Sequence, residues 1–77
     1  MGPSPKPTRV TNAIRALRAA RGDMTQAELA RRIGVTRQTV IAIEQGRYSP
    51  SLETAFQIAR ALDVRIDEAF AYPDDAD

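Results

Sequence analysis

Cysteine, histidine and tryptophan are all absent from this chain of 77 residues. Without cysteine the chain has no disulfide and no thiol nucleophile, and without cysteine and histidine it lacks the usual zinc ligands. Histidine is also the commonest general base of enzymes. No cluster of carboxylates replaces them, and Asp67-Glu68 is more typical of the charged first turn of a helix. The composition therefore predicts a protein that is not an enzyme, with no metal and no cofactor.

Long apolar runs are missing as well. No stretch approaches the roughly 20 apolar residues of a membrane-spanning helix, and the N-terminal MGPSPKPT lacks the hydrophobic segment of a secretory signal. We therefore expect a cytoplasmic protein with no membrane association. Apolar residues make up 43% of the chain, which is enough for a small globule, and the length predicts one domain.

The net charge of +1 conceals a strong asymmetry along the chain. Residues 1–47 carry nine basic and three acidic side chains, whereas residues 48–77 carry two basic and seven acidic ones. This division predicts a polyanion-binding surface on one side of the molecule, although a solvated dipolar surface would give the same charge pattern. All but one of the basic residues are arginine, whose planar fork suits phosphates and base edges.

Proline and helix-capping residues divide the chain into segments. Three prolines in the first seven residues predict a flexible arm over 1–9, and the sequence Pro-Asp-Asp-Ala-Asp predicts an acidic tail over 73–77. The domain between them, residues 10–72, has helical spacing of its apolar residues and no alternating strand pattern. Helix starts are indicated by capping residues at Thr25, where Glu28 completes a capping box, at Thr36 and at Ser49–Ser51. Helix ends are indicated by glycines at 22, 34 and 46. Together these signals predict five short helices, over about 11–21, 26–33, 37–45, 51–62 and 66–70.

The apolar positions of these helices predict a compact all-α domain with five helices. The small residues Ala30 and Gly34 allow the second and third helices to cross closely, as in a helix-turn-helix. The predicted core consists of Ile14, Leu17, Leu29, Ala30, Ile33, Val35, Val40, Ile43, Leu52, Ala55, Ile58, Ala59, Leu62, Val64, Ile66 and Phe70.

The third helix opens with the polar residues Thr36, Arg37, Gln38 and Thr39. A helix N-terminus carries partial positive charge and free N–H groups. Side chains of this kind at the start of a helix fit the major groove of DNA, where the first residues of the helix reach base edges. The stretch therefore predicts binding to double-stranded DNA.

This stretch resembles the Cro/repressor-type helix-turn-helix family of prokaryotic and phage regulators, also called the xenobiotic-response-element family. The resemblance covers about residues 12–70 and rests on five motifs in order: Gln-Ala-Glu-Leu-Ala (26–30), Gly-Val-Thr-Arg-Gln-Thr-Val (34–40), Ile-Glu-Gln-Gly (43–46), Pro-Ser-Leu-Glu (50–53) and Ile-Ala-Arg-Ala-Leu-Asp-Val (58–64). It implies a five-helix repressor-like domain and a sequence-specific transcriptional regulator, more specifically a repressor whose targets include its own gene.

The resemblance also implies roles for individual residues. The residues implied to contact bases are Arg37, Gln38, Thr39 and Ala42, and those implied to contact phosphates are Gln26, Thr36, Arg47, Tyr48, Asn12 and Arg15. Gln26 is also implied to brace the first base-reading residue, and Arg18 and Glu44 are implied to form a structural ion pair. Thr36 also has a plainer interpretation as a helix cap. The same applies to several others as solvated surface groups, namely Gln26, Arg37, Gln38, Thr39, Arg47 and Tyr48.

One recognition helix reads only a few base pairs, so useful specificity requires two half-sites and a homodimer on a palindromic operator. The candidate interface lies in the C-terminal third, at Phe56, Ile66, Phe70 and Tyr72, with Ala71-Tyr72 as a short strand paired across the twofold axis. Alternatively, these residues complete the core of the monomer. A competing functional hypothesis is an antitoxin or adaptor-like module that uses the same fold to bind a protein partner.

Overall fold

Five helices and one two-stranded sheet make up residues 8–73, the part of the chain that the computed structural model describes. The elements in order are β1 Thr11–Asn12, α1 Ile14–Ala20, α2 Gln26–Ile33, α3 Arg37–Glu44, α4 Leu52–Leu62, α5 Ile66–Ala69 and β2 Phe70–Ala71. The predicted five-helix class is confirmed. Most of the predicted arm, and all of the predicted tail except Pro73, lie outside the described residues.

Local capping interactions start the three central helices. The hydroxyl oxygens of Thr25, Thr36 and Ser51 accept hydrogen bonds from backbone N–H groups three residues ahead, at 3.0, 3.1 and 3.1 Å. Each cap pairs a donor that the helix itself leaves free, a contribution of about 1 kcal/mol. The starts of α2, α3 and α4 are therefore fixed by sequence-local chemistry.

Glu28 does not complete the capping box that the sequence predicts at the start of α2. Its carboxylate accepts hydrogen bonds from Arg31 at 2.6 Å and Arg32 at 2.7 Å. These two guanidinium groups lower the pKa of Glu28 to about 2, so the carboxylate stays ionised at acidic pH values where an ordinary glutamate would be protonated. The two arginines are thus partly neutralised within α2.

The first helix begins three residues later than predicted. Thr11–Asn12 forms β1, which pairs antiparallel with β2, so that Thr11 lies opposite Ala71 and Asn12 opposite Phe70. The backbone N–H of Ala13 continues this contact by donating to the carbonyl oxygen of Ala69 at 2.9 Å. Pairing with the far end of the chain therefore replaces the first helical turn.

The start of α5 is capped by a residue inside the helix. Arg65, at the N-cap position, offers no side-chain acceptor, but its backbone N–H donates to the carboxylate of Glu68 at 2.8 Å. Glu68 and Asp67 also place negative charge in the first turn, where it interacts favourably with the positive end of the helix dipole.

The core lies between α1, α2, α3 and α4. Twelve apolar side chains between residues 8 and 73 are buried: Ile14, Met24, Leu29, Ala30, Ile33, Val40, Ile43, Ala55, Ile58, Ala59, Leu62 and Ala69. Met24 and Ala69 were missing from the predicted core. Leu17, Val35, Val64 and Phe70 are only partly buried against it. The prediction for Leu52 was wrong: it is 70% exposed, because the buried stripe of α4 begins one turn later, at Ala55.

Gly34 ends α2 in the left-handed conformation, with φ 76°, and its N–H returns to the carbonyl oxygens of Ala30 and Arg31. No atom lies within 4 Å of the position that a Cβ would occupy, so a larger residue meets no steric clash there. A side chain at this position therefore destabilises the protein through the unfavourable positive φ and not through a steric clash.

We expect Gly34→Ala to lower the free energy of unfolding by about 1 kcal/mol, because alanine disfavours positive φ. Thermal unfolding of the purified variant measures this loss. Gly34→Asn is the matched control and should lose less, because asparagine tolerates the left-handed region. Equal stability of all three proteins would contradict a conformational role for this glycine.

Candidate nucleic-acid interface

The α2–turn–α3 unit presents the start of α3 to solvent. The turn contains only residues 34–36, and the N–H of Val35 donates to the carbonyl oxygen of Ala30 at 3.0 Å, which closes the C-terminus of α2. Val40 and Ile43 anchor α3 in the core. The opposite face of α3 is consequently free for a partner.

The residues predicted to read bases occupy the first turns of α3. Arg37 and Gln38 are exposed, while Thr39 and Ala42 are half-buried. The Thr39 hydroxyl lies 3.1 Å from the capping oxygen of Thr36, so these two side chains support each other. Arg37 and Gln38 can therefore reach outward from a helix end that is held rigidly.

A groove of about 560 Å³ runs between α1, the start of α2 and α3. Arg15 and Arg37 contribute positive charge to it, and neither of them forms an ion pair with another residue in the range 8–73. The residues that line it include Arg15, Gln26, Arg37, Ile41, Glu44 and Gln45. Gln45 was not among the predicted site residues, although its spacing of eight residues from Arg37 places it on the same helical face.

An ion pair forms the inner wall of this groove. Arg18 Nε donates to Glu44 Oε2 at 2.7 Å, and Arg18 Nη2 donates to Glu44 Oε1 at 3.2 Å. Arg18 Nη1 also donates to the carbonyl oxygen of Met24 at 2.8 Å, and Gln26 Nε2 donates to Glu44 Oε1 at 3.1 Å. The side chains of Arg18 and Glu44 are only 14% and 8% exposed. The pair therefore joins α1, the α1–α2 connection, α2 and α3.

Asn12, predicted to contact a phosphate, is half-buried and forms hydrogen bonds within the protein. Its amide nitrogen donates to the carbonyl oxygen of Ile43 at 3.0 Å, and its amide oxygen accepts from the backbone N–H of Ile14 at 3.1 Å. The side chain thus provides hydrogen-bond partners for a carbonyl group at the end of α3 and an N–H group at the start of α1. Asn12 is thus a structural link between two helices, and its predicted phosphate contact stays a prediction.

The other residues predicted to contact phosphates lie around the same face. Arg15 is exposed on α1, and Arg47 and Tyr48 are exposed just after α3. The N–H of Arg47 donates to the carbonyl oxygen of Ala42 at 3.0 Å, and Gly46, at φ 73°, turns the chain away from the helix. The segment after α3 therefore has a defined backbone.

The predicted dimer residues lie on α4 and α5 and in or just after the C-terminal strand. Phe56 and Tyr72 are 49% and 67% exposed, and Ile66 and Phe70 are half-buried. The strand was expected at Ala71-Tyr72, across a twofold axis. It is instead Phe70–Ala71, and one of its edges pairs within the chain, with Thr11–Asn12. Arg9 lies over the Tyr72 ring, 5.8 Å from its centre.

Comparison with known proteins matches this architecture to one family. A family model described as helix-turn-helix matches residues 14–68, well over half of the chain. The chain belongs to the helix-turn-helix family of Cro/repressor type. A transcriptional regulator of the same class from Methanocaldococcus jannaschii is 53% identical over 53 residues, which cover 69% of this chain and 80% of that protein.

Two further comparisons concern proteins with more specific descriptions. The crystal structure of the restriction-modification controller protein C.AhdI from Aeromonas hydrophila is similar with a TM-score of 0.65 at 36% identity, covering 71% of this chain and 78% of that one. Antitoxin HipB of Escherichia coli is 36% identical over 58 residues, which cover 75% of this chain and 61% of that protein. As a helix-turn-helix protein of this family, the chain is a DNA-binding transcriptional regulator and not an enzyme.

Between residues 8 and 73, no helix is long and apolar enough to cross a membrane. The same residues contain no group of three or more carboxylates that could hold a metal ion.

Proposed function

We propose that this regulator binds a palindromic operator as a homodimer and represses transcription, with its own gene among the targets, in the cytoplasm. Each protomer would place α3 in the major groove of one half-site. The observation that carries the proposal is the rigid, exposed start of α3, where Thr36 caps the helix and Arg37 and Gln38 project from its first turn. Repression follows from occupancy, because a dimer seated on a promoter excludes other proteins from the same DNA.

The proposed base contacts follow from the chemistry of the side chains. Arg37 suits the two acceptors O6 and N7 of guanine, and Gln38 suits N6 and N7 of adenine. Thr39 is placed to contact a base edge or a phosphate, and the Ala42 methyl group suits the methyl group of thymine. Each good bidentate contact provides about 1–3 kcal/mol of discrimination against the wrong base.

The proposed phosphate contacts are Arg15, Thr36, Arg47 and Tyr48, which flank the recognition helix on both sides. Each carries an N–H or O–H donor, and phosphate oxygens only accept. We leave Asn12 and Gln26 out of this set, because their amide nitrogens donate to Ile43 and Glu44 within the protein.

The proposed dimer interface is the apolar surface around the start of α4 and the C-terminal strand. Phe56, Ile66, Phe70 and Tyr72 contribute to it. Leu52, which is 70% exposed, extends it, and a groove of about 260 Å³ lined by Leu52, Ala55, Ile66 and Phe70 lies alongside. Large exposed apolar side chains in one patch are typical of interaction surfaces. Its position would leave α3 free to face DNA.

The decisive experiment is a fluorescence-anisotropy titration with the DNA upstream of the gene and with a scrambled duplex, each at two salt concentrations. A Kd in the nanomolar range for the first duplex, with a preference of about a hundredfold at the higher salt, would support an autoregulatory operator. Equal, weak and strongly salt-dependent binding to both duplexes would contradict it. Selection of binding sequences from random DNA would then show whether the protein recognises a different operator or has no sequence preference.

Arg47→Ala is expected to weaken binding to all duplexes to a similar extent, because a phosphate contact carries no sequence information. The slope of log Kd against log salt should fall by about one unit, since one phosphate contact is lost. Titrations at four salt concentrations with operator and scrambled DNA measure both quantities. A change confined to the operator would instead place Arg47 on a base.

Phe56→Glu is expected to weaken dimerisation by about tenfold or more, because it places a charge in an apolar interface. Sedimentation equilibrium of the free protein measures the monomer–dimer constant, and thermal unfolding checks that the exposed position tolerates the change. The matched control is Gln57→Glu, an exposed neighbour on α4. Identical association of wild type and both variants would contradict the proposed interface.

A second candidate function comes from the similarity to antitoxin HipB. In that case the apolar surface would cover a protein partner, and DNA binding would be secondary. Co-expression with the product of the neighbouring gene, followed by purification under high salt, tests it. A stable heterocomplex would support the second function, whereas recovery of the regulator alone would favour the first.

A further inference from the structure

The N-terminal segment Thr8–Asn12 contacts the end of α3. The amide nitrogen of Asn12 donates to the carbonyl oxygen of Ile43 at 3.0 Å and to that of Glu44 at 3.5 Å. The amide oxygen accepts from the backbone N–H of Ile14 at 3.1 Å, which fixes the orientation of the amide. A helix leaves its last carbonyl groups without partners inside the helix. Asn12 therefore caps the end of α3 from a distant part of the chain.

The same segment contacts the chain again just after α3. The hydroxyl groups of Thr8 and Ser49 are hydrogen-bonded to each other. The Thr8 oxygen also accepts from the backbone N–H of Val10 at 3.0 Å, which holds the hydroxyl in place. Along the chain, the two contacts of the segment thus enclose residues 45–48.

Arg47 and Tyr48, the proposed phosphate contacts after α3, lie between these two contacts. Both side chains are exposed, so the core does not hold them. The N–H of Gly46 donates at 3.0 Å to the carbonyl oxygen of Ile43, the same oxygen that the Asn12 amide binds. The position of this stretch of backbone therefore depends on hydrogen bonds at its ends.

We propose that the segment Thr8–Asn12 positions Arg47 and Tyr48 to bind phosphates of the DNA backbone. The sheet anchors the segment, because Asn12 lies opposite Phe70 of β2. A donor that is held in place before binding loses less conformational freedom when it binds, so its contact contributes more affinity. The segment has this effect without touching DNA itself. The proposal rests on the proposed DNA-binding function.

Substitutions at the two contacts test the proposal. Asn12→Ala removes the contact with the end of α3, and Thr8→Val replaces a hydroxyl by a methyl group of similar size. Thr11→Val is the matched control in the same segment, because the Thr11 hydroxyl donates to the carbonyl oxygen of Ala71 in β2 and not to the chain after α3. Thr8 and Thr11 lie outside the core, so their variants should fold.

The experiment is a double-mutant cycle in which each variant is combined with Arg47→Ala and Tyr48→Phe, which together remove both phosphate donors. We expect Asn12→Ala to raise Kd about fourfold and Thr8→Val about twofold for operator and scrambled DNA alike, since phosphate contacts carry no sequence information. Without the two donors, each loss should shrink to less than about 1.5-fold.

The control Thr11→Val should bind both duplexes as the wild type does. Equal losses with and without the two donors would overturn the proposal, because Asn12 and Thr8 would then act on DNA directly or through the fold as a whole. Scrambled DNA suffices for this comparison, so it stays decisive even where the protein prefers no duplex.

Hydrogen exchange of the free protein tests the positioning without DNA. The N–H groups of Gln45, Gly46 and Arg47 each donate to a carbonyl oxygen of α3 at 3.0 Å. They should exchange about fivefold faster in Asn12→Ala, because the end of α3 has lost its cap. The N–H of Val64, which closes the end of α4 at 3.0 Å, is the internal control and should keep its rate. Equal acceleration at both helix ends would indicate a global loss of stability and would overturn the proposal.

The two measurements distinguish failure of this proposal from failure of the proposed function. If Arg47→Ala with Tyr48→Phe binds every duplex as tightly as the wild type, the phosphate contacts themselves are wrong. Faster exchange in Asn12→Ala would then still support its hold on the end of α3. Unchanged exchange rates in Asn12→Ala would overturn the positioning whatever the DNA titrations show.

Discussion

Glu44→Ala is expected to lower the free energy of unfolding by about 3 kcal/mol, which corresponds to a fall in Tm of about 15 °C for a domain of this size. The change leaves the guanidinium of Arg18, 14% exposed, without its carboxylate, and leaves the Gln26 amide nitrogen without its acceptor. An unpaired charge in a poorly solvated position accounts for most of this loss. A domain of 77 residues has only a small reserve of stability, so the variant should be partly unfolded at 37 °C.

Two controls test whether the destabilisation comes from leaving a poorly solvated charge unpaired and not simply from losing an ion pair. Asp67→Ala removes a pair whose side chains are 79% and 64% exposed, and it should change Tm very little. The double variant Arg18→Met with Glu44→Leu removes both charges and should recover much of the stability lost in Glu44→Ala. A Tm for Glu44→Ala equal to that of Asp67→Ala would show that the pair does not support the fold.

The helix boundaries that the sequence predicts well are those that depend on neighbouring residues. Thr25, Thr36 and Ser51 cap their helices through groups three residues away, so the relevant chemistry is visible in a short window. Gly34 likewise ends α2 by adopting a conformation that other residues disfavour. These local signals suffice to place α2 and α3, and hence the start of the recognition helix.

The start of α1 could not be predicted in this way. Thr11 pairs with Ala71, which is 60 residues distant along the chain, and the Asn12 side chain bonds to the end of α3. Both contacts depend on how the helices pack and have no signature near residues 11–12. Glu28 shows the same limit at shorter range, because Arg31 and Arg32 compete with the backbone for its carboxylate.

The residues of the candidate site were likewise predictable from the sequence only where the signal is local. Arg37 and Gln38 follow directly from the cap at Thr36, whereas Gln45 was not predicted even though helical spacing places it on the face of Arg37. The donation of Gln26 to Glu44 joins residues 18 positions apart and needed the structure. The resemblance to the family supplied the expectation of an Arg18–Glu44 pair but no contact between that pair and Gln26.

Arg37→Ala is expected to weaken operator binding by about 2 kcal/mol, or about thirtyfold in Kd, and to relax the base preference at one position of each half-site. Arg37 is the first residue of α3, is exposed, and forms no ion pair among residues 8–73, so its loss would remove the proposed DNA contact without disturbing the core. Alanine is a good helix former, and the Thr36 cap uses the N–H of Thr39, so α3 should remain intact.

The measurement is a set of anisotropy titrations against the operator and every single-base variant of one half-site. Arg60→Ala is the matched control, because Arg60 is also exposed but lies at the end of α4, beside Arg32 and outside the groove. It should leave both the affinity and the base preference unchanged. An equal effect of the two variants would indicate general electrostatic attraction, and an unchanged operator affinity in Arg37→Ala would assign base reading to other residues. A loss confined to duplexes that carry guanine at one position would place Arg37 on that base.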